Sequence, residues 1–410
     1  MTEPAKYDII VSGGGIAGCL AALSILKHTN YSVLLIEAFA NEDTNKHAGF
    51  DARVIALAAE SLSILKQLDV SIDSLRTSKI KQIQVSDRHH VGQVRLSCDE
   101  FNMPYLGKVV SVEALGTFLF NQLKPFMKKG SDRLGYACPA KIVNIDKQID
   151  NINVTLSDDT EASCNLLVVS DGGQASTANM LGLKTVKSDY EQTAIITNVK
   201  TQLPHSNVAF ERFTSQGPVA FLPMNLGNDH QHAMSVVWCM DRHKVEQYLS
   251  LDKKDFLNEL NQVFAIKLGE LTDCSERFSY PLIRQQLTQF TTHRAVCVAN
   301  AAQSLHPIAG QGFNLGIRDI FNLIQVLKNE ENLGSFNQLS AYQLARREDK
   351  TLTLGLTDWL VNTFSNQHSP LVIGRNIALM KMNMLSPLKT KFAKISMGKR
   401  KSNLSNGVAK

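Results

Sequence analysis

No uninterrupted apolar run in these 410 residues approaches the roughly 20 needed to span a bilayer as a helix, so a soluble or peripheral protein is expected. Cysteine is sparse. The seven, at positions 19, 98, 138, 164, 239, 274 and 297, form no CxxC pair and no other metal-ligand spacing, so neither structural zinc nor any other metal centre is expected. No signal-like stretch precedes Tyr7, which fits a reducing cytoplasm. Repeats are missing, and so is low complexity apart from the polar end after Lys399. No Ser/His/Asp set with a nucleophile elbow is visible, which leaves hydrolase chemistry unsupported.

Acid is missing from one place. Residues 389–410 carry Lys389, Lys391, Lys394, Lys399, Arg400, Lys401 and Lys410 without an Asp or Glu, while the rest of the chain opposes 36 bases to 38 acids. The net charge of +5 thus belongs to the tail. That argues against nucleic-acid binding and suits an anionic surface or an acidic partner.

Glycine is concentrated in two telling places. Tyr7–Ser12 reads as a buried strand, Gly13-Gly14-Gly15-Ile16-Ala17-Gly18 as a tight turn, Ile16–Lys27 as a helix and Ser32–Glu37 as a second strand. Within this βαβ unit Gly13 serves the turn, Gly15 a close approach to pyrophosphate, and Gly18 the helix–strand contact. Glu37, 19 residues after Gly18, is placed to accept from ribose hydroxyls, which favours FAD or NAD over NADP. The second place is Ala299–Asp319, where a turn leads through Pro307 and Gly310-Gln311-Gly312 into an apolar helix whose free N–H groups face an anion. Two distant nucleotide-contacting segments imply one cofactor lying across a folded interface.

Between them the pattern changes. Val54–Leu68 fits a helix, Lys79–Leu96 a strand or hairpin, Val112–Lys124 a helix, and Lys141–Leu156 a hairpin. Cys164–Ser170 is a buried strand ending at Asp171-Gly172. Ala194–Thr201, Val208–Thr214, Val219–Pro223 and Met234–Met240 suggest one antiparallel sheet. Asp255–Phe264 appears as a helix, Ala295–Ala299 returns as a parallel-type strand, and the chain after Arg346 is mostly helical. The class is therefore α/β. A discontinuous Rossmann-like FAD-binding domain (1–75, 100–180 and 281–345) is joined by an antiparallel substrate domain (76–99 and 181–280), a C-terminal helical region (346–398) and a basic tail (399–410).

Isolated side chains carry less. Arg53 either clamps the pyrophosphate or ribose of the dinucleotide or forms a surface pair with an Asp. His89-His90 and His230-Gln231-His232 are loop histidines without a third ligand, and His306 either lies near a flavin ring or packs structurally.

Three motifs together resemble the single-component flavoprotein aromatic hydroxylases built like para-hydroxybenzoate hydroxylase: Gly13–Gly18, Asp171-Gly172, and Asn300 through Asp319, matching a pattern written GDAAHxxxPxxGQGxNxGxxD. Within that family Gly49–Leu57, Phe210-Glu211-Arg212-Phe213-Thr214 and Gly374-Arg375-Asn376-Ile377 are similar to the ubiquinone-biosynthesis hydroxylases. Asn300 and Gln303 resemble the branch acting on 2-polyprenyl-6-methoxyphenol, where sister enzymes carry Asp and His. Ala299-Asn300 departs from the common Gly–Asp, Gly173-Gln174-Ala175 lacks the usual Ser and Arg, and Ser111-Val112 stands where Glu–Asn is frequent.

The resemblance implies that FAD is held by Gly13, Gly15, Ile16, Ala17, Gly18, Glu37, Arg53, Asp171, Asn300, Gly312, Phe313 and Asn314, with Pro307, Gly310, Gln311 and Gly312 facing the flavin. It implies NAD(P)H as a transient reductant, O2 as co-substrate, a flavin C4a-hydroperoxide as oxygen donor, and oxidation of the phenol to the 1,4-benzoquinol. No side chain is assigned as acid, base or nucleophile. Assembly with other ubiquinone-biosynthesis proteins and peripheral contact with the inner face of a membrane through the basic segment are further expectations. The alternatives are another ring hydroxylase of the same pathway, a flavin-dependent prenyl reductase, or a FAD-bound scaffold subunit.

Overall fold

The computed structural model describes residues 4–40, 53–88, 92–127, 133–172, 176–225, 227, 231–264, 267–305, 310–328, 332–365, 376 and 389–390. Pro307, His306, His89, His90, His230, residues 41–52, residues 173–175 and the basic tail beyond residue 390 lie outside the described residues.

Short apolar runs buried on both faces make the first sheet. Strands Ala5–Ser12, Val33–Ile36, Glu161–Val169, Leu134–Ala137 and Ala295–Cys297 pair in parallel, with Ser12 opposite both Ile36 and Val169, and Val169 opposite Cys297. Such runs cannot alternate, because each face lies under a layer of its own. One cluster joins Ile9, Val11, Leu35 and Val168 to helices, and the other joins Ile10, Ile36, Leu167 and Val169 to the hairpin strands Ile142–Lys147 and Ile152–Leu156. Returning at Ala295–Cys297 beside Glu161–Val169, the chain completes this sheet from a segment 126 residues after Val169 in sequence, so the nucleotide-type sheet is discontinuous.

The helices are α1 (Ile16–His28), α2 (Ala59–Gln67), α3 (Val112–Leu123), α4 (Ser176–Met180), α5 (Arg242–Ser250), α6 (Lys253–Phe264), α7 (Gln311–Leu327) and α8 (Phe336–Ser365). Central helix α1 is buried from Gly18 to Leu26 and packs with α3 and α7 in one core.

A nine-stranded sheet forms the second layer system. Thr185–Thr201 is its long central strand, flanked by Ala233–Asp241 and Phe278–Leu287, and the sheet continues through Pro218–Pro223 and Val208–Phe213 to Gln82–Asp87 and Gln93–Ser97. Neighbours are antiparallel except at one junction. Val208–Phe213 runs parallel to Gln82–Asp87, since segments so far apart in sequence are not bound by hairpin geometry. Helices α5 and α6 cover one face with Trp238, Tyr248, Phe256 and Phe264.

Two sequence readings change. Val54–Ala58, expected to open a helix, is a strand paired with Gly107–Ser111, and helix begins only at Ala59. The Asn314 side chain holds it there, accepting from the Ala58 N–H at 2.9 Å and donating to the Ala56 carbonyl at 2.9 Å. Lys79–Leu96 splits between two sheets: Thr77–Ile80 pairs with Gly107–Ser111, whereas Gln82–Asp87 and Gln93–Ser97 form the edge of the larger sheet.

Candidate functional site: a cradle at the carboxyl ends of four parallel strands

Four sequence signals leave the same edge of the parallel sheet. Glu37 follows Ile36, Gly13 follows Ser12, Asp171 lies just beyond Val169, and Ala299 just beyond Cys297. Ligands of open α/β sheets bind outside such carboxyl ends.

The glycines of the first turn differ sharply in surroundings. Gly13 has φ +97°, and a Cβ there would lie 2.6 Å from the Asp171 Cα. At Gly18 a Cβ would fall 1.7 Å from the Gly13 carbonyl oxygen, so helix and turn touch through backbone alone. Around a Cβ at Gly15, by contrast, nothing lies within 4 Å. That glycine caps α1 without a side-chain hydrogen bond, and the first turn contains no acid. The N–H groups of Ile16 and Ala17 therefore open onto free space at the positive end of a buried helix, an arrangement that favours an anion.

Two carboxylates flank this turn. Glu37 Oε2 accepts from the Gly14 N–H at 2.6 Å and Oε1 from the Phe39 N–H at 3.0 Å, leaving lone pairs for further donors. Asp171 accepts from the Thr177 hydroxyl through Oδ2, while its buried Oδ1 has no hydrogen-bond partner among the described residues. Burial pushes this carboxyl above the ordinary aspartate value, against the pull of Thr177. An orphaned acceptor at the cradle is what a ligand hydroxyl would satisfy.

The second segment is held quite differently. Ala299 has φ +51°, a region that favours glycine, and its side chain fits because a Cβ at residue 316 would lie 2.8 Å from the Ala299 Cβ. The turn then presents Asn300 to solvent. Fully buried Asp319 anchors it, taking the Ala299 N–H at 3.0 Å and the Gln303 amide at 2.9 Å on Oδ2. From α8, Arg346 Nε donates to Asp319 Oδ1 at 2.8 Å and Lys350 Nζ lies 3.4 Å from Oδ2. Asp349 pairs with both Arg318 and Arg346, at 2.8 and 2.6 Å. Burial raises the Asp319 carboxyl, but Lys350 and Arg346 outweigh it and hold it below the usual value. Lys350, over the Phe290 ring at 3.9 Å, is lowered by burial to about 8 despite Asp319.

Helix α7 starts at Gly310, with φ +57°, no side-chain cap and no acid in its first turn. A Cβ at Gly312 would meet nothing within 4 Å. Asn314 is spent on the Ala56, Ala58 and Gly310 backbones, so among the described residues of the helix start the main-chain N–H groups are what it offers a ligand. Phe313 packs partly into the main core, and Gln311 is buried. Arg53 precedes a strand rather than a helix, and its guanidinium lies 4.7 Å from the Tyr280 ring centroid. Among the loop histidines, His232 bonds the Thr201 carbonyl through Nδ1 at 2.9 Å.

A third surface adjoins the cradle. On the face of the nine-stranded sheet opposite α5 and α6, Ile196, Ala220, Leu222 and Val237 stay partly exposed, although Ile195, Val219, Phe221, Val236 and Trp238 on the other face are at most 1% exposed. Ala56 packs on this face, and a Cβ at Gly310 would lie 3.5 Å from the Ala56 Cβ. A partly exposed apolar sheet face thus lies beside the strand that meets the start of α7. Sequence reasoning missed this exposed apolar face and the whole charge cluster, whose only hints were an acid ending the third motif and bases about thirty residues later.

These features agree with comparison to known proteins. Residues 6–351 match the family described as a FAD binding domain. Ubiquinone hydroxylase UbiL of Rhodospirillum rubrum is 30% identical, over 95% of this chain and 89% of that protein. The 3-demethoxyubiquinol 3-hydroxylase of Escherichia coli is 26% identical, over 95% and 98%. The crystal structure of p-nitrophenol 4-monooxygenase PnpA from Pseudomonas putida shares the fold, with a TM-score of 0.76 over 97% of this chain and 100% of that one at 14% identity. No helix among the described residues is long and apolar enough to cross a membrane. The chain belongs to the FAD binding domain family and is a FAD-dependent monooxygenase, with relatives that include ubiquinone hydroxylases.

Proposed function

We propose that the protein hydroxylates a polyprenyl methoxyphenol, converting 2-polyprenyl-6-methoxyphenol to its 1,4-benzoquinol in ubiquinone biosynthesis. The observation that carries this reading is the uncapped helix start at Gly310 beside a partly exposed apolar sheet face, at the edge of a dinucleotide cradle. Relatives named as ubiquinone hydroxylases support the substrate class, and Asn300 with Gln303 supports the methoxyphenol branch.

In this reading Gly15, Ile16 and Ala17 bind the pyrophosphate of FAD by backbone N–H groups, with Gly13 and Gly18 shaping the turn, and Glu37 accepts from the ribose. Asp171 Oδ1 and the Asn300 amide oxygen accept from ribityl hydroxyls, and Arg53 closes the side of the site facing Tyr280. Pro307 walls the flavin ring. Main-chain donors of Gly310, Gln311, Gly312, Phe313 and Asn314 would stabilise negative charge on a bound flavin. Bound FAD supplies the redox chemistry, drawing electrons from NAD(P)H and one oxygen atom from O2. The apolar sheet face would help keep water from the reacting ring. The basic tail, beginning where Lys389 reaches Glu100 at 2.8 Å, serves contact with an anionic membrane surface or with other proteins of the pathway.

The test supplies NAD(P)H and a short-chain 2-prenyl-6-methoxyphenol under labelled dioxygen. One labelled oxygen in the quinol is expected. Unlabelled product, or NAD(P)H-dependent saturation of the prenyl chain, would overturn the reading.

A further inference from the structure

Positive charge collects on the folded body as well as in the tail. Arg88, Arg95, Arg212 and Lys267 meet at the edge of the nine-stranded sheet, on the face that α6 covers. In strand Val208–Phe213, Arg212 shares the face of Phe210, whose ring lies 5.2 Å from that of Phe264 at the end of α6. Arg95 is on the same face, because its strand partner Gln84 is also the partner of Phe210, while Val94 and Leu96 pack on the opposite side. Arg88 donates its N–H to the Phe213 carbonyl at 2.9 Å and its guanidinium to the Gln262 carbonyl in the last turn of α6 at 3.4 Å. Lys267 lies three residues beyond the end of that helix.

Two of these cations have nothing to hold. Half-buried Arg212 makes no side-chain hydrogen bond or ion pair among the described residues, its Nε is fully covered, and Lys267 has no such partner either. Burial and then the charge of Arg88 pull Arg212 below the ordinary guanidinium value against Asp87, and burial, Arg95 and Arg212 lower Lys267. The acids of this edge are engaged elsewhere. Asp87 is buried on the face of its partner Phe213 and accepts from the Asn376 amide at 3.0 Å, and Glu100 is held by Lys389 at 2.8 Å. A half-buried guanidinium without an acceptor is costly, and a phosphate offers its fork two oxygens.

The surroundings say which phosphate. Arg95 and Lys267 are exposed, so the cluster is a surface rather than a closed pocket. Leu203, 49% exposed, donates its N–H to the Leu268 carbonyl at 2.8 Å, which sets an apolar tip beside Lys267. The acid-free tail begins in sequence at Lys389, held to Glu100 just past the end of Gln93–Ser97 at the same sheet edge. Spread cations with an apolar tip suit a plane carrying many phosphates better than one small ion. We propose that this sheet edge seats on the phosphate headgroups of an anionic lipid surface, Arg88 and Arg212 gripping phosphate oxygens while Arg95, Lys267 and Leu203 face the bilayer. The cluster lies on the sheet face opposite Ala56 and the start of α7, so it is separate from the cofactor cradle. It stands on charge placement and does not need the phenol reading above.

The experiment sediments the full-length, FAD-loaded protein with phosphatidylcholine vesicles, with and without phosphatidylglycerol. Wild type should bind only the anionic vesicles and be released by salt. Each neutralised cation should lower partition about fivefold, so Arg212→Gln loses about fivefold and the double variant Arg95→Gln, Lys267→Gln about 25-fold. A charge-matched control, Lys6→Gln with Lys141→Gln at exposed positions of the first sheet and its hairpin, should stay within about twofold of wild type. Bound flavin and melting temperature report that each variant is folded. No binding of wild type to anionic vesicles, or an equal loss in the control pair, would overturn the proposal. So would displacement by inorganic phosphate at an ionic strength where chloride leaves binding intact, which assigns the cluster to a free anion, or cluster-dependent binding of polyglutamate without binding of vesicles, which assigns it to an acidic protein.

Discussion

The two helix starts that border the cradle solve one problem by opposite means. Both α1 and α7 begin at a glycine, without a side-chain cap or an acid in the first turn. The α1 start is held by backbone: Gly13 against Asp171, Gly18 against Gly13, and the Gly14 N–H on Glu37. The α7 region is held by charge. Asp319 grips the turn before the helix, and Arg346 and Lys350 hold Asp319 from α8. The first device rests on backbone contact with one carboxylate hydrogen bond and no buried ion pair, so it is local. The second removes Arg318, Asp319, Arg346 and Lys350 from water beside a half-buried Asp349, so losing one partner leaves another uncompensated. It ties the turn before α7 to a helix that lies outside every recognised motif.

The first prediction breaks the backbone device. Valine at position 15 points into open space in the protein, at a φ of −65° that any residue adopts, yet fills the place proposed for pyrophosphate. Gly15→Val should leave the melting temperature of the FAD-free protein unchanged and weaken FAD by about 1000-fold, roughly 4 kcal/mol. Isothermal titration and a thermal melt read the two effects separately.

Next comes the charge device. Lys350 is held to about 8 in the fold against an ordinary 10.5, so between those values the unfolded chain binds a proton that the native state does not. Burying this amine therefore costs stability below pH 8, and the cost fades as pH rises to 10.5. Urea unfolding should show wild type gaining up to about 3 kcal/mol over Lys350→Met across that window. A constant difference would remove Lys350 from the account.

Smaller effects sharpen the link to the turn. Gln303→Leu removes one arm of Asp319 without removing a charge, and should weaken FAD about tenfold, near 1.4 kcal/mol. Gln303→His, which can still donate to Asp319, should restore most of it. Ala299→Gly relieves a positive φ and should stabilise the protein by up to about 1 kcal/mol.

What was legible in the sequence follows the same division. The Gly13–Gly18 unit could be read because strand, turn and helix are contiguous and each glycine has a local reason. The third motif was legible as a flavin signature, but its support was not, since Asp319 meets partners 27 and 31 residues further on through helix packing. Val54–Ala58 read as helix because its apolar spacing fits either element, and the choice is made by Asn314, 256 residues away from Ala58.

The central claim is that the α1 start holds the pyrophosphate and the α7 region holds the flavin ring. Titrating FAD-free wild type, Gly15→Val and Gln303→Leu with FAD and with riboflavin, which lacks the pyrophosphate, tests it directly. Gly15→Val should lose FAD and keep wild-type riboflavin binding, whereas Gln303→Leu should lose the same factor for both. Wild-type FAD affinity in Gly15→Val, or a Gln303→Leu loss confined to FAD, would contradict it.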